Sequence, residues 1–394
     1  MAAKKKRRKS RKKKGRSRKR WPIIASLLGG IVLFVVLYVV YTLIRPTSVL
    51  LYEEIYGAKS ELGKEISKID GAVYEALFRE KIPEKNVFFT AVEAQRERGQ
   101  DWDFTDVSVR VSLKASFLKL RSRMESSLST LRPGVRHRVE QRSGTEYVYH
   151  IFALDFYTHR VRLILDSFRD EPRTRLAKMS IIVDDLGHDR QLGEAFIRLN
   201  LPLGISVLPL ARYTDAVVHL ANQRKRELML HLPMEPKDYP ELDPGPGALM
   251  VGMRDQEIKK TLHKHLGCVV GARGVNNHMG SLFTENKKKM AVIMGELKKR
   301  GLFYVDSRTT SETVAFRMAK EAGVPAASRS VFLDNDLSAQ AMRFQMERLL
   351  GVARHSGRAI GIAHPHAETR KFLERQLPGL EGQVRLVPVS ELVS

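Results

Sequence analysis

Hydrophobic and polar positions divide this chain into stretches of different rhythm. Pro22 to Ile44 is an uncharged, largely apolar run of 23 residues. A helix of that length reaches roughly 34 Å, so the pattern predicts one membrane-crossing helix over residues 22–44. Apolar residues then recur at helical spacing, from Leu50 and Ile55 through Leu62, Ile66, Ile69, Val73 and Leu77, which predicts an amphipathic helix or helix pair. After Asn86 the runs become rich in branched and aromatic residues (Val107 to Leu113, Glu146 to Ala153, Arg160 to Leu165) around a helical stretch from Ser116 to Leu131. These read as strands and a helix of a small α+β domain across 48–170. Past Lys178 short apolar runs alternate with longer helical patterns. Strands are predicted near Ser180, Gly204, Glu227, Val275, Leu302, Val331, Ala359 and Val384. Such alternation calls for parallel strands covered by helices, in a barrel or a doubly wound sheet, over 176–394.

The polar residues of this last stretch fall where its strands end. Asp184 and Asp185 close the first strand, and His231 the third. Asn276, Asn277 and His278 follow the fourth, Asp306 ends the fifth, and His364 ends the strand that begins at Ala359. Parallel strands finish on one face, so these side chains are expected to converge in one cleft. Asp and His around an open position suit a divalent cation, with zinc the usual choice. The expected ligands are Asp185, His231 and His278, with Asp184 as base, His364 as acid and Asp306 orienting it. Structural readings stand beside these. Asp-Asp-Leu-Gly also suits a helix cap, His231 a core histidine, Asp306 an ion pair with Arg308, and His364 a turn.

Charge changes the picture at one end only. The chain has 394 residues and a formal net charge of +24, of which Lys4 to Arg20 supply 14 Lys and Arg with no acid. A basic arm over 1–21 set against an apolar span predicts a cytoplasmic N-terminus in contact with anionic lipid. The later domains are then expected outside a bacterial inner (cytoplasmic) membrane as a single-pass protein. Nucleic acid is not the expected partner of the arm. Cys268, the one cysteine, excludes an intrachain disulfide.

Longer motifs add a resemblance. Ile181-Ile-Val-Asp-Asp-Leu-Gly, Met229-Leu-His-Leu-Pro-Met-Glu-Pro236, Gly274-Val-Asn-Asn-His-Met-Gly-Ser281, Val305-Asp-Ser-Arg-Thr309, Val331-Phe-Leu-Asp-Asn335 and Gly361-Ile-Ala-His-Pro365 resemble the divergent polysaccharide deacetylase family. The resemblance covers roughly 178–392. It implies a distorted (β/α) barrel of seven or eight strands and metal-dependent hydrolysis of N- or O-acetyl groups on a cell-envelope polysaccharide. Ordinary polysaccharide deacetylases pair two histidines four residues apart, whereas Glu235 stands four residues after His231. Glu235 is therefore a candidate additional ligand, and Asn276, Asn277 and Arg308 are candidates for ligand or substrate contact. A non-catalytic, carbohydrate-docking use of the same barrel is the competing expectation.

Overall fold

The computed structural model describes residues 60–83, 86–166 and 176–394, all within one compact unit. The first part is an α+β layer. Helix α1 (Glu61–Arg79) starts at Ser60, whose hydroxyl accepts from the Gly63 amide at 3.0 Å and satisfies one of the amides a helix start leaves bare. Strands β1 (Val87–Glu97) and β2 (Gln100–Val111), helix α2 (Lys114–Ser129), and strands β3 (Val135–Ser143), β4 (Glu146–Ala153) and β5 (Phe156–Leu165) follow. The sheet order is β1-β2-β5-β4-β3, with β2 and β5 parallel and the other pairs antiparallel. Leu62, Ile69 and Val73 of α1 and Phe117, Leu120 and Met124 of α2 share a core with Val109, Tyr149 and Val161 of the sheet.

The second part alternates strand and helix. Its elements are β6 (Ala177–Leu186), α3 (Arg190–Arg198), β7 (Leu203–Val207), α4 (Thr214–Gln223), β8 (Glu227–Met234), α5 (Asp255–Cys268), β9 (Gly274–Met279), α6 (Lys287–Arg300), β10 (Phe303–Asp306), α7 (Ala315–Ala322), β11 (Ala326–Ser328), β12 (Val331–Phe332), α8 (Ala339–Ser356), β13 (Arg358–Ala363), α9 (Ala367–Gln376) and β14 (Val384–Leu386). The strands pair in the order β11-β10-β9-β8-β7-β6-β13-β12, all parallel, with β14 beside the first residues of β6.

This refines the expected distorted barrel. The two end strands, β11 and β12, have no ladder between them, yet only Arg329 and Ser330 separate them in sequence. The Arg329 amide donates to the Asp306 carbonyl at 2.9 Å, and the Ser330 amide donates to the Ile360 carbonyl at 2.8 Å. Two consecutive residues thus reach strands from opposite sides of the order. The sheet curls into a half-barrel, and its seam is bridged by chain rather than by paired strands.

Strand alternation sorts the side chains. Ile181, Val183, Leu228, Leu230 and Val275 pack outward with the helices, while Ile182, Met229, Phe303, Val305, Ile360 and Ile362 form a separate inner cluster. Val389 and Leu392 of the C-terminal segment join that inner cluster. The α+β layer meets the half-barrel beside its seam. Phe344 of α8 enters the layer's core, and the Ser311 hydroxyl bonds the Asp101 carboxylate near the β1–β2 turn. Arg96 also pairs with Glu312 at 2.9 Å.

The membrane expectation needs correction. Among the described residues no helix is long and apolar enough to cross a membrane. The basic arm at 1–21 and the apolar run at 22–44, on which the inner-membrane, single-pass localisation rested, lie outside the described residues.

Candidate functional site

The inner face of the curled sheet carries the polar cluster. Ile182 and Met229 point inward, so by alternation Asp184 on β6 and His231 on β8 do too, as do Asn276 and His278 on β9. Asp185 would point outward in an unbroken strand. Its backbone is left-handed, with φ 54°, and the β6–β7 register shifts between Val183 and Leu186. The irregularity turns Asp185 onto the same rim as the histidines. Gly187 follows with φ 122°, and a Cβ there would lie 2.9 Å from the Ala211 side chain, so this tight turn excludes larger residues.

One ligand atom from each of Asp185, His231 and His278 lies within 4.8 Å of the other two. Asp185 Oδ1 is 3.0 Å from His231 Nε2 and 2.9 Å from His278 Nδ1, and the two imidazole nitrogens are 3.2 Å apart. Asp185 and His231 are fully buried, and His278 is 6% exposed. Among the described residues neither carboxylate oxygen of Asp185 has a hydrogen-bond partner of good geometry. Burial pushes the Asp185 carboxyl up, but the imidazoles of His278 and His231 outweigh it and hold the group well below the usual carboxylate range.

A buried, ionised and unsatisfied carboxylate is costly unless a cation meets it. Metal–ligand bonds of about 2.0–2.1 Å place tetrahedral ligand atoms roughly 3.3 Å apart. The separations here are close to that spacing, and one carboxylate with two imidazoles is a donor set suited to a transition metal. The residues fit a divalent cation.

Around this triad lies a ring of fixed polar groups. Asp184, fully buried, accepts from Asn276 Nδ2 at 2.9 Å on each oxygen, and its Oδ1 is 3.6 Å from His231 Nδ1. Asn276 Nδ2 also reaches the Ser307 hydroxyl at 3.2 Å, and Ser206 donates to Asn276 Oδ1 at 2.7 Å. Asn277 faces the other way. Its Oδ1 accepts from the Tyr304 hydroxyl and the Ser307 amide, both at 3.0 Å, so it braces the β9–β10 edge and does not join the triad.

Three expectations meet different neighbours. The carboxylate bonded to His364 is Asp334, not Asp306: Asp334 accepts His364 Nδ1 at 2.8 Å, the His364 amide at 2.7 Å and the Thr369 hydroxyl at 2.7 Å. Asp306 follows the inward Val305 and so faces outward, where it accepts the Arg308 amide, the Thr313 hydroxyl and the Phe316 amide at the start of α7. Burial raises its pKa despite those bonds. Glu235 stands outside the triad, with its carboxylate taking the Val251 amide. Arg308 adopts φ 52°, and its carbonyl accepts from buried Arg329, which also holds the Ser307 carbonyl at 2.7 Å.

Two residues near the site escaped sequence reasoning. Asp334 lay inside a quoted motif, Val331-Phe-Leu-Asp, with no role attached. His188 is half-buried beside Asp185 and His278. Burial pushes its pKa below the ordinary histidine value, partly opposed by the Asp185 charge. Its position four residues after Asp184 was a usable signal.

The sequence model of the divergent polysaccharide deacetylase family matches residues 181–393. An uncharacterised protein of Haemophilus influenzae is 31% identical over 216 residues, 55% of this chain and 76% of that protein. The uncharacterised protein YibQ of Escherichia coli is 31% identical over 217 residues, 55% of this chain and 67% of its own length. Among solved structures, the uncharacterised protein ATU2773 of Agrobacterium tumefaciens superposes with a TM-score of 0.54 at 25% identity, covering 57% of this chain and 92% of that one.

Proposed function

Because the chain belongs to the divergent polysaccharide deacetylase family, we propose that it is a metal-dependent hydrolase removing N- or O-linked acetyl groups from a polysaccharide, with cell-envelope glycans the first class to test. The observation that carries the proposal is Asp185, a fully buried carboxylate that faces two imidazole nitrogens at 2.9 and 3.0 Å. A divalent cation held by Asp185, His231 and His278, zinc being the best match to one oxygen and two nitrogens, would supply Lewis-acid polarisation of an acyl oxygen and acidify water.

The remaining work falls to the chain's own side chains. In hydrolysis, water oxygen bonds to the acyl carbon while the C–N or C–O bond breaks. Asp184 accepts the proton that water gives up, and Asn276 fixes the orientation of its carboxylate. His364 returns a proton to the departing nitrogen or oxygen. Asp334 engages its Nδ1, so the proton delivered comes from Nε2. Asn276, Ser206 and Ser307 make one buried network that holds the Asp184 carboxylate in place.

One observation favours a second reading. The ligand set is nearly closed, since His278, its most exposed member, is only 6% accessible, and a catalytic cation needs an open position. A closed cation would brace a glycan-docking barrel without chemistry. Elemental analysis of the purified full-length chain, paired with acetate release from N-acetylated chitooligosaccharides and O-acetylated glycans, separates the two. Bound metal with acetate release supports the hydrolase, and bound metal without release from any glycan supports docking. Metal-free protein sinks both.

A further inference from the structure

Away from the triad, a cavity of about 320 Å³ opens where the α+β layer meets the half-barrel. Arg348 of α8 lines it and is 6% exposed. Its Nε and Nη2 are buried and have no hydrogen-bond partner among the described residues. These two nitrogens share one edge of the guanidinium, the edge that grips an oxyanion side-on through two parallel bonds. Arginine cannot shed its charge in a protein, so an unanswered buried fork is a standing cost.

The other charges in the cavity wall are already engaged. Asp70 accepts from His159 Nε2 at 3.0 Å, Asp103 lies 3.8 Å from the Arg329 guanidinium, and Asp336 accepts the Ser338 amide at 2.8 Å. In a wall that holds three carboxylates and two guanidinium groups, Arg348 is the group whose donors are left for an anion. The start of α8 points the same way: Ser338, Gln340 and Ala341 line the cavity at the positive end of an 18-residue helix. Tyr74, Trp102 and Phe344 supply aromatic rings, and Asn335, Gln345 and Ser67 supply amides and a hydroxyl. Aromatic rings beside amides and hydroxyls match a hydroxylated ring, and the volume is at the lower end of small-molecule sites.

We propose that this cavity binds an acidic sugar unit, its carboxylate held by the Nε–Nη2 edge of Arg348 and its ring against Trp102, Tyr74 and Phe344. The proposal does not depend on the triad's chemistry. Keeping an unpaired buried cation lowers the stability of the empty protein, which is what a binding residue does and a packing residue does not.

The test titrates the full-length protein with D-glucuronate, D-glucose and inorganic phosphate, by calorimetry and by tryptophan fluorescence. Trp21 and Trp102 are the only tryptophans of the chain, so a W21F background isolates the one in the cavity wall. Saturable glucuronate binding is expected, about tenfold or more weaker for glucose and for Arg348→Met, as loss of a bidentate charged contact implies. Binding should persist in His278→Ala, which separates this site from the triad. Ligand-free Arg348→Met should melt no lower than the parent. Should Arg348→Met fail to fold, the contrast between glucuronate and glucose on the unmutated chain decides the matter. Failure of glucuronate to bind, equal binding of glucose, unchanged affinity in Arg348→Met, or preference for phosphate over glucuronate would each overturn the assignment.

Discussion

Replacing Asp184 with Asn separates two roles that a carboxylate beside a metal-binding histidine can play. Asp184 Oδ1 lies 3.6 Å from His231 Nδ1, beyond hydrogen-bond reach, while both its oxygens accept from Asn276. The amide introduced by Asp184→Asn would keep one acceptor for Asn276 and occupy the same volume, so the fold should survive. What it loses is the ability to take a proton. General-base catalysis contributes roughly 10²–10⁴-fold, about 3–5 kcal/mol of barrier, and kcat should fall by that amount. Were Asp184 instead the group that orients His231, the substitution would weaken metal affinity by about 10–100-fold. The assay measures metal affinity by chelator competition and acetate release at saturating metal on the same preparation. A loss of activity that saturating metal restores would refute the base assignment and make Asp184 a positioning residue.

Further outcomes follow from the geometry. His278→Ala should purify with metal content near zero, because it removes one of three donor atoms; full occupancy would disprove the triad as the metal set. Asp334→Asn should leave metal content unchanged but alter the alkaline limb of the pH–rate profile by mispositioning His364, whereas Asp306→Asn should spare kcat and cost about 1 kcal/mol in melting experiments through the weakened start of α7. Gly274→Ala should destabilise by about 1–3 kcal/mol, since its Cβ would fall 2.1 Å from the Phe303 ring; an unchanged Tm would contradict the packing. His265 is fully buried, and burial lowers its pKa to about 4, with Lys264 adding to the shift. A histidine depressed in the fold binds its proton more readily when unfolded. The stability it preserves is therefore complete above about pH 6.5 and declines by roughly 3 kcal/mol as pH falls to about 4, a slope that His265→Gln should remove in melts across that range.

Which parts of the site were legible depended on strand parity. Asp184, His231 and His278 each sit at the rim end of a predicted parallel strand, and their convergence needed only the rule that parallel strands finish together. The same alternation, applied to Val305, would have turned Asp306 away from His364 towards α7, because Val305 occupies the inner face. Counting strand ends without counting faces produced that error. Asp334 was hidden for another reason. The strand before it, β12, has two residues, too few for any periodic signal, and only the seam places that strand beside β13.

Asp185 marks the limit of pattern reading. Its adjacency to Asp184 assigns it to the opposite face, and only a left-handed φ of 54° with a shifted register brings it to the histidines. Asp tolerates that backbone better than most residues, at a cost of about 1–3 kcal/mol. Strain of this kind persists where surrounding structure enforces it, and here it brings a fully buried carboxylate against two imidazoles. A fold that sustains both costs at one residue, without a cation, is hard to explain by packing. Asp185→Asn provides the check. If the charge is retained for metal, this substitution should lower metal affinity far more than it changes the Tm of chelator-treated protein, in which only the two imidazoles meet the carboxylate. Unchanged metal affinity together with a lower Tm in the metal-free state would mean that Asp185 serves as an ion-paired core group, and the metal reading would lose its main support.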